Sequence, residues 1–99
     1  MADETALQRD ITRAARAEAL LRDDLLIEAF EGLHDEYVEA WRSSRLRDTE
    51  GRERLWQAVQ IVGRVREHLK TLAANGKLAQ RELDEIARLG ERRKFLGVV

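Results

Sequence analysis

The 99 residues include no Cys and no Pro, only six Gly, 43% hydrophobic and 37% charged residues; this is too apolar for a disordered chain, too charged for a membrane protein, and it excludes disulfides and thiolate metal sites. No apolar run approaches the roughly 20 residues that cross a bilayer, and the acidic start Met1-Ala2-Asp3-Glu4 lacks the basic and apolar regions of a secretory leader, so a cytoplasmic location is expected. The formal charge of −1 hides a sorting: residues 1–40 carry 4 Arg against 11 acids, net −7, and residues 41–99 carry 14 Arg and Lys against 8 acids, net +6.

Without Pro and with so little Gly, the chain lacks the turn residues of a multi-hairpin sheet. Its Ala, Leu, Arg and Glu favour helices, so the predicted class is all-α, in a single domain.

The first helix is predicted from about Thr5 to Arg22. Leu7, Ile11, Ala14 and Leu21 share one face at helical spacing. That face is thin, Ala-rich and interrupted by Glu18. Such a helix is marginal in isolation, and it is expected to act as an arm ordered by another subunit.

Asp23 or Asp24 caps a second helix, about 24–43. Leu26, Phe30, Leu33, Tyr37 and Trp41 recur in steps of four and three, widened by Ile27 and Val38, with Glu28, Glu31, Asp35 and Glu39 opposite. Residues 43–48 break the pattern, and Asp48 or Thr49 caps a third helix. Leu55, Ala58, Val62, Val65, Leu69 and Leu72 form its seam, of the bundle or coiled-coil kind. Asn75-Gly76 is a helix stop, so the third helix is expected over about 49–75. A short fourth helix follows, about Leu78 to Leu89, and then a basic tail, 90–99.

The short connection makes the second and third helices an antiparallel hairpin. Their stripes are wider than one hairpin hides. The thin first and short fourth helices cover only part of the remainder, so a homo-oligomeric helical bundle is expected.

Three groups of residues bear on chemistry. Trp41, Arg42, Arg45, Arg47, Arg52, Arg54 and Trp56 fall within 16 residues at the hairpin end, with Ser43, Ser44 and Thr49. Guanidinium forks hold phosphate oxygens, a helix N-terminus at 49–51 offers amide donors, and indoles stack bases. The competing reading has both indoles plugging the bundle end and the Arg heads solvated or paired with Asp48, Glu50 and Glu53. The tail residues Arg88, Arg92, Arg93, Lys94 and Phe95 either extend a nucleic-acid footprint or form a soluble end. A helix-turn-helix over 66–94 would place Gln80 and Arg81 toward bases. Glu31-x-x-His34 has the spacing of di-iron bundles, but only one copy occurs, so His34 is read as a core residue, His68 as structural, and no metal or cofactor is expected. Without Cys, a Gly-rich phosphate loop or HExxH, the chain is read as non-enzymatic.

Leu25-Leu26-x-x-Ala29-Phe30-x-x-Leu33-x-x-x-Tyr37-x-x-Ala40-Trp41, followed by Asp48, Arg52-Glu53-x-Leu55-Trp56, Val65-x-x-His68-Leu69 and Gly76-Lys77-Leu78-Ala79, resembles small helical proteins of tailed phages and prophages. The resemblance covers Leu25 to Leu83 and implies a phage context with no catalytic residues. Small oligomeric helical proteins serve phages in DNA packaging, in head assembly and in blocking host defences, the last by sequestering signalling nucleotides. Two expectations follow. One is a homo-oligomer whose Arg and Trp cluster binds a nucleotide or nucleic acid. The other is a structural assembly protein whose Arg cluster pairs with the acidic second helix of a neighbouring subunit.

Overall fold

A computed structural model describes residues 3–95. Each helix begins on an aspartate. Asp3 Oδ1 accepts from Thr5 N at 3.3 Å and opens α1, Glu4–Arg22. Asp23 is a single extended residue; its Oδ1 accepts from Leu26 N at 2.9 Å and opens α2, Asp24–Ser43. One residue therefore ends α1 and caps α2, and no loop separates them. Asp48 Oδ1 accepts from Gly51 N at 3.0 Å and opens α3, Thr49–Phe95. Each carboxylate satisfies an amide that its helix leaves free and lies at the positive end of the macrodipole.

The expected division of the third and fourth helices is absent. α3 runs through Asn75-Gly76 for 47 residues, about 70 Å at 1.5 Å per residue. The short C-terminal helix and the helix-turn-helix reading are corrected accordingly. Asn-Gly stops a helix when Gly turns left-handed, and here Gly76 stays helical for a different reason. A β-carbon at Gly76 would overlap Ala14 Cβ and lie 3.4 Å from the Asp10 carbonyl oxygen. The glycine is the point where α1 and α3 come closest. Of the predicted tail, residues 90–95 continue α3, and 96–99 lie outside the described residues, as do 1–2.

α1 and α2 each contact α3, at different places along it. Ala14 meets Gly76, Leu20 shares a groove with Leu69 and Leu72, Phe30 with Val62 and Arg66, and Trp41 touches Arg52. α1 makes the most extensive contact and scarcely touches α2. The first helix, expected as an arm, rests on its own chain. Among the described residues the buried apolar side chains are Leu7, Ala14, Ala17 and Ala79, on the two helices of that contact. α2, with the broadest apolar stripe, buries none of its residues. Small residues let helix backbones approach closely, while large ones hold α2 further out.

The molecule measures 76 × 26 × 15 Å with a radius of gyration of 21.7 Å, against about 13 Å for a globular domain of this length. Its accessible surface is 8328 Å², where a folded monomer of 11.4 kDa exposes about 5,800 Å². No described helix is long and apolar enough to cross a membrane.

Candidate functional site

The seven residues singled out at the helix 2–helix 3 junction all lie at one end of the rod, and the structure divides them into four groups. Arg52 is committed to the fold. Its guanidinium carbon sits 4.3 Å from the Trp41 ring centroid. Its Nη1 donates to the Trp41 carbonyl at 3.2 Å and to Ser44 Oγ at 2.8 Å. Ser44 also bonds that carbonyl through its amide N, at 3.2 Å, and through its hydroxyl. Trp41 is in the last turn of α2, where carbonyls lack helical partners and the dipole favours a cation. Arg52 thus closes α2 from the first turn of α3.

Arg42 and Arg54 are paired within their own helices. Arg42 Nη1 lies 3.4 Å from Glu39 Oε2, and Arg54 Nη2 lies 2.7 Å from Glu50 Oε1. These pairs are solvent-exposed and contribute little individually. Arg45 and Arg47 are exposed in the connecting segment. They have no ion pair among the described residues, although the Arg45 carbonyl accepts from Asp48 N at 3.0 Å and forms the turn.

Trp41 and Trp56 are 41% and 55% exposed, so neither is buried by its own chain. They line an open groove of about 450 Å³ with Leu46, Thr49, Arg52 and Glu53, and an apolar groove of about 240 Å³ with Val38, Leu55, Val59 and Gln60. Of the seven, only Trp41, Arg52 and Trp56 share the larger groove. Arg42, Arg45, Arg47 and Arg54 do not line it. Leu46, 83% exposed, was missed; its signal was a lone apolar residue in a polar connection.

The electrostatics of this groove are mixed. Its guanidinium is already hydrogen-bonded, and Glu53 adds a carboxylate. The α3 N-terminus, expected to offer free amides to a phosphate, is occupied by the Asp48 side chain at Gly51 N. A β-carbon on Gly51 would overlap that carboxylate, so Gly51 allows the cap.

His34 is not a core residue. Its side chain is 55% exposed, with Nδ1 3.3 Å from Asp35 Oδ1, in a groove of about 340 Å³ that Gly63 leaves open. His68 is exposed. Among the described residues no three His, Cys, Asp or Glu side chains gather to hold a metal. In the predicted tail, Arg88 pairs with Glu85, while Arg92 and Arg93 are exposed.

Among the described residues every ion pair joins neighbours on one helix. The charge sorted along the sequence is therefore not neutralised across the helix contacts. No protein-family model, no curated protein and no solved structure matches the chain.

Proposed function

We propose that this chain is a non-catalytic protein that acts by self-assembly: the antiparallel pair of α2 and α3 completes its helical bundle against further copies. The observation that carries this reading is the uncovered apolar surface. α2 buries no residue, and Leu33, Ile61 and Val65 are 40%, 58% and 49% exposed. The molecule exposes about 2,500 Å² more than a folded monomer of its mass. That excess is about three times the ~800 Å² each partner contributes to a standard interface. The resemblance to phage proteins agrees with a head-assembly or packaging role in the cytoplasm of a host cell.

The test is the mass in solution by light scattering, from 1 to 100 µM. An oligomer is expected throughout the upper part of this range. A monomer at every concentration sinks the proposal.

A second reading assigns a phosphate-bearing ligand, nucleotide or nucleic acid, to the Arg and Trp end. It is favoured by one observation: Arg45 and Arg47 stand unpaired beside a groove walled by two half-exposed indoles. Glu53 and the capped α3 N-terminus weigh against it. Titrating the protein with ATP and with a short DNA duplex at 50 and 200 mM salt tests it. Binding through Arg45 and Arg47 falls steeply with salt and disappears in the Arg45→Ala, Arg47→Ala variant; no binding at low salt refutes it.

A further inference from the structure

Among the charges that find no partner on their own helix, two sets form stripes of matching pitch. On α1, Arg9, Arg13 and Arg16 recur at steps of four and three, a spacing that keeps them on one face, and Leu20 continues it. On α2, Asp24, Glu28, Glu31 and Asp35 recur at four, three and four. All seven charged residues are exposed. Among the described residues none pairs with an opposite charge except Asp35, which touches His34.

The stripes cannot meet within one molecule. α1 ends at Arg22 and α2 starts at Asp24. The two helices contact α3 at different places and scarcely touch each other. A basic and an acidic stripe on consecutive helices therefore do not neutralise each other within one molecule; Arg66 of α3, which lines a groove with Glu31 and Asp35, is the nearby cation on the same chain, and it forms no ion pair with them.

The spacing of the two stripes indicates what neutralises them. Arg16 and Glu28 are equidistant in sequence from Arg22; so are Arg13 and Glu31, and so are Arg9 and Asp35. A second copy laid antiparallel across the first, with the two-fold axis at the α1–α2 junction, brings all three pairs into register at once. Symmetry makes them six. A self-complementary patch of this kind closes on itself as a dimer. Leu20, 46% exposed, falls opposite Asp24 near the axis.

Resting on the self-assembly reading, we infer that two copies pair antiparallel about the α1–α2 junction, with Arg9, Arg13 and Arg16 of each facing Asp35, Glu31 and Glu28 of the other. Exposed ion pairs are individually weak. Their part is to set register and orientation, since a shifted or α2-on-α2 pairing brings carboxylates together. Affinity comes from the exposed apolar side chains near the axis, Leu20 and Leu25.

The experiment is a charge swap in the full chain, with mass and dissociation constant measured by sedimentation. Arg13→Glu alone and Glu31→Arg alone each set like charges opposite one another twice, and each is expected to weaken the dimer by about tenfold or more. The double variant carrying both changes restores the pairs and the affinity. Both sites are exposed, so unchanged far-UV circular dichroism is expected in all three. A wild-type dimer that neither single variant weakens overturns this register and leaves the self-assembly reading standing. So does a weakening that the double variant fails to repair. A wild-type chain that stays monomeric at 100 µM overturns both. The same variants are mixed with a short DNA duplex at 50 mM salt. Duplex binding lost in Arg13→Glu with the mass unchanged assigns the basic stripe to phosphates and overturns the inference.

Discussion

Gly76 lies so close to Ala14 that a β-carbon added to it would occupy the space of the Ala14 methyl. Three other glycines, Gly32, Gly63 and Gly90, have nothing within 4 Å of that position. The same substitution therefore has opposite signs. Ala is better than Gly inside a helix by about 1 kcal/mol, so Gly63→Ala raises the melting temperature. At position 76 overpacking outweighs that gain, and a cost of about 1–3 kcal/mol is expected. Thermal unfolding of the two variants, followed by circular dichroism, checks the contrast; equal shifts would mean α1 does not pack on α3 through this residue.

Arg52 holds the end of α2 through the Trp41 ring, the Trp41 carbonyl and Ser44. Arg52→Ala removes charged hydrogen bonds together with a cation–π contact, and about 1–3 kcal/mol of stability is expected to go with them. Arg45→Ala and Arg47→Ala touch no partner and should stay within about 0.5 kcal/mol of the parent. Denaturant midpoints compare the three. A harmless Arg52→Ala would return Arg52 to the pool of free guanidinium groups.

Asp23 and Asp48 cap their helices through side-chain bonds to Leu26 N and Gly51 N. Replacing either with Ala should cost about 0.5–2 kcal/mol. Asp23 caps α2 and Asp48 caps α3, with α2 lying between them in the chain, so the double variant should lose close to the sum. Urea melts measure it, and a marked departure from additivity would indicate that the two helix starts are coupled.

Ile61 and Val65 project from α3 with about half of their surface in water. Ile61→Lys should leave the monomer's stability nearly unchanged, because little burial is lost. It should reduce the mass in solution, because the apolar face then carries a charge into the contact. Light scattering at 50 µM decides it; an oligomer that tolerates the lysine uses a different face.

The helices could be read in the sequence because their signals are local. Asp23 and Asp48 precede apolar periodicity, and the Leu26-to-Trp41 stripe repeats at helical steps, so the starts and the all-α class followed from neighbours only a few residues apart. Asn75-Gly76 misled for the same reason. As a dipeptide it resembles a terminus, and the helix that needs Gly76 is some sixty residues away in sequence. The candidate site was legible in location but not in role. Clustered Arg and Trp residues marked one end of the rod, whereas the assignment of Arg52 to the Trp41 carbonyl required α2 and α3 to be placed side by side.

Composition, charge sorting and apolar spacing by themselves determined that the chain is helical, where its caps fall, and that more apolar surface exists than one small molecule hides. Tertiary structure alone decided which surface is hidden. Ala14, Ala17, Gly76 and Ala79 permit close approach, so the weakest stripe in the sequence makes the tightest contact. The larger side chains of α2 meet α3 without full burial: Leu26, Ile27, Phe30, Tyr37 and Val38 stay half-buried, and Leu33 and Trp41 are exposed. Hydrophobicity is a property of residues and periodicity of segments, but packing depends on the shapes of two surfaces at once, and only their meeting determines it.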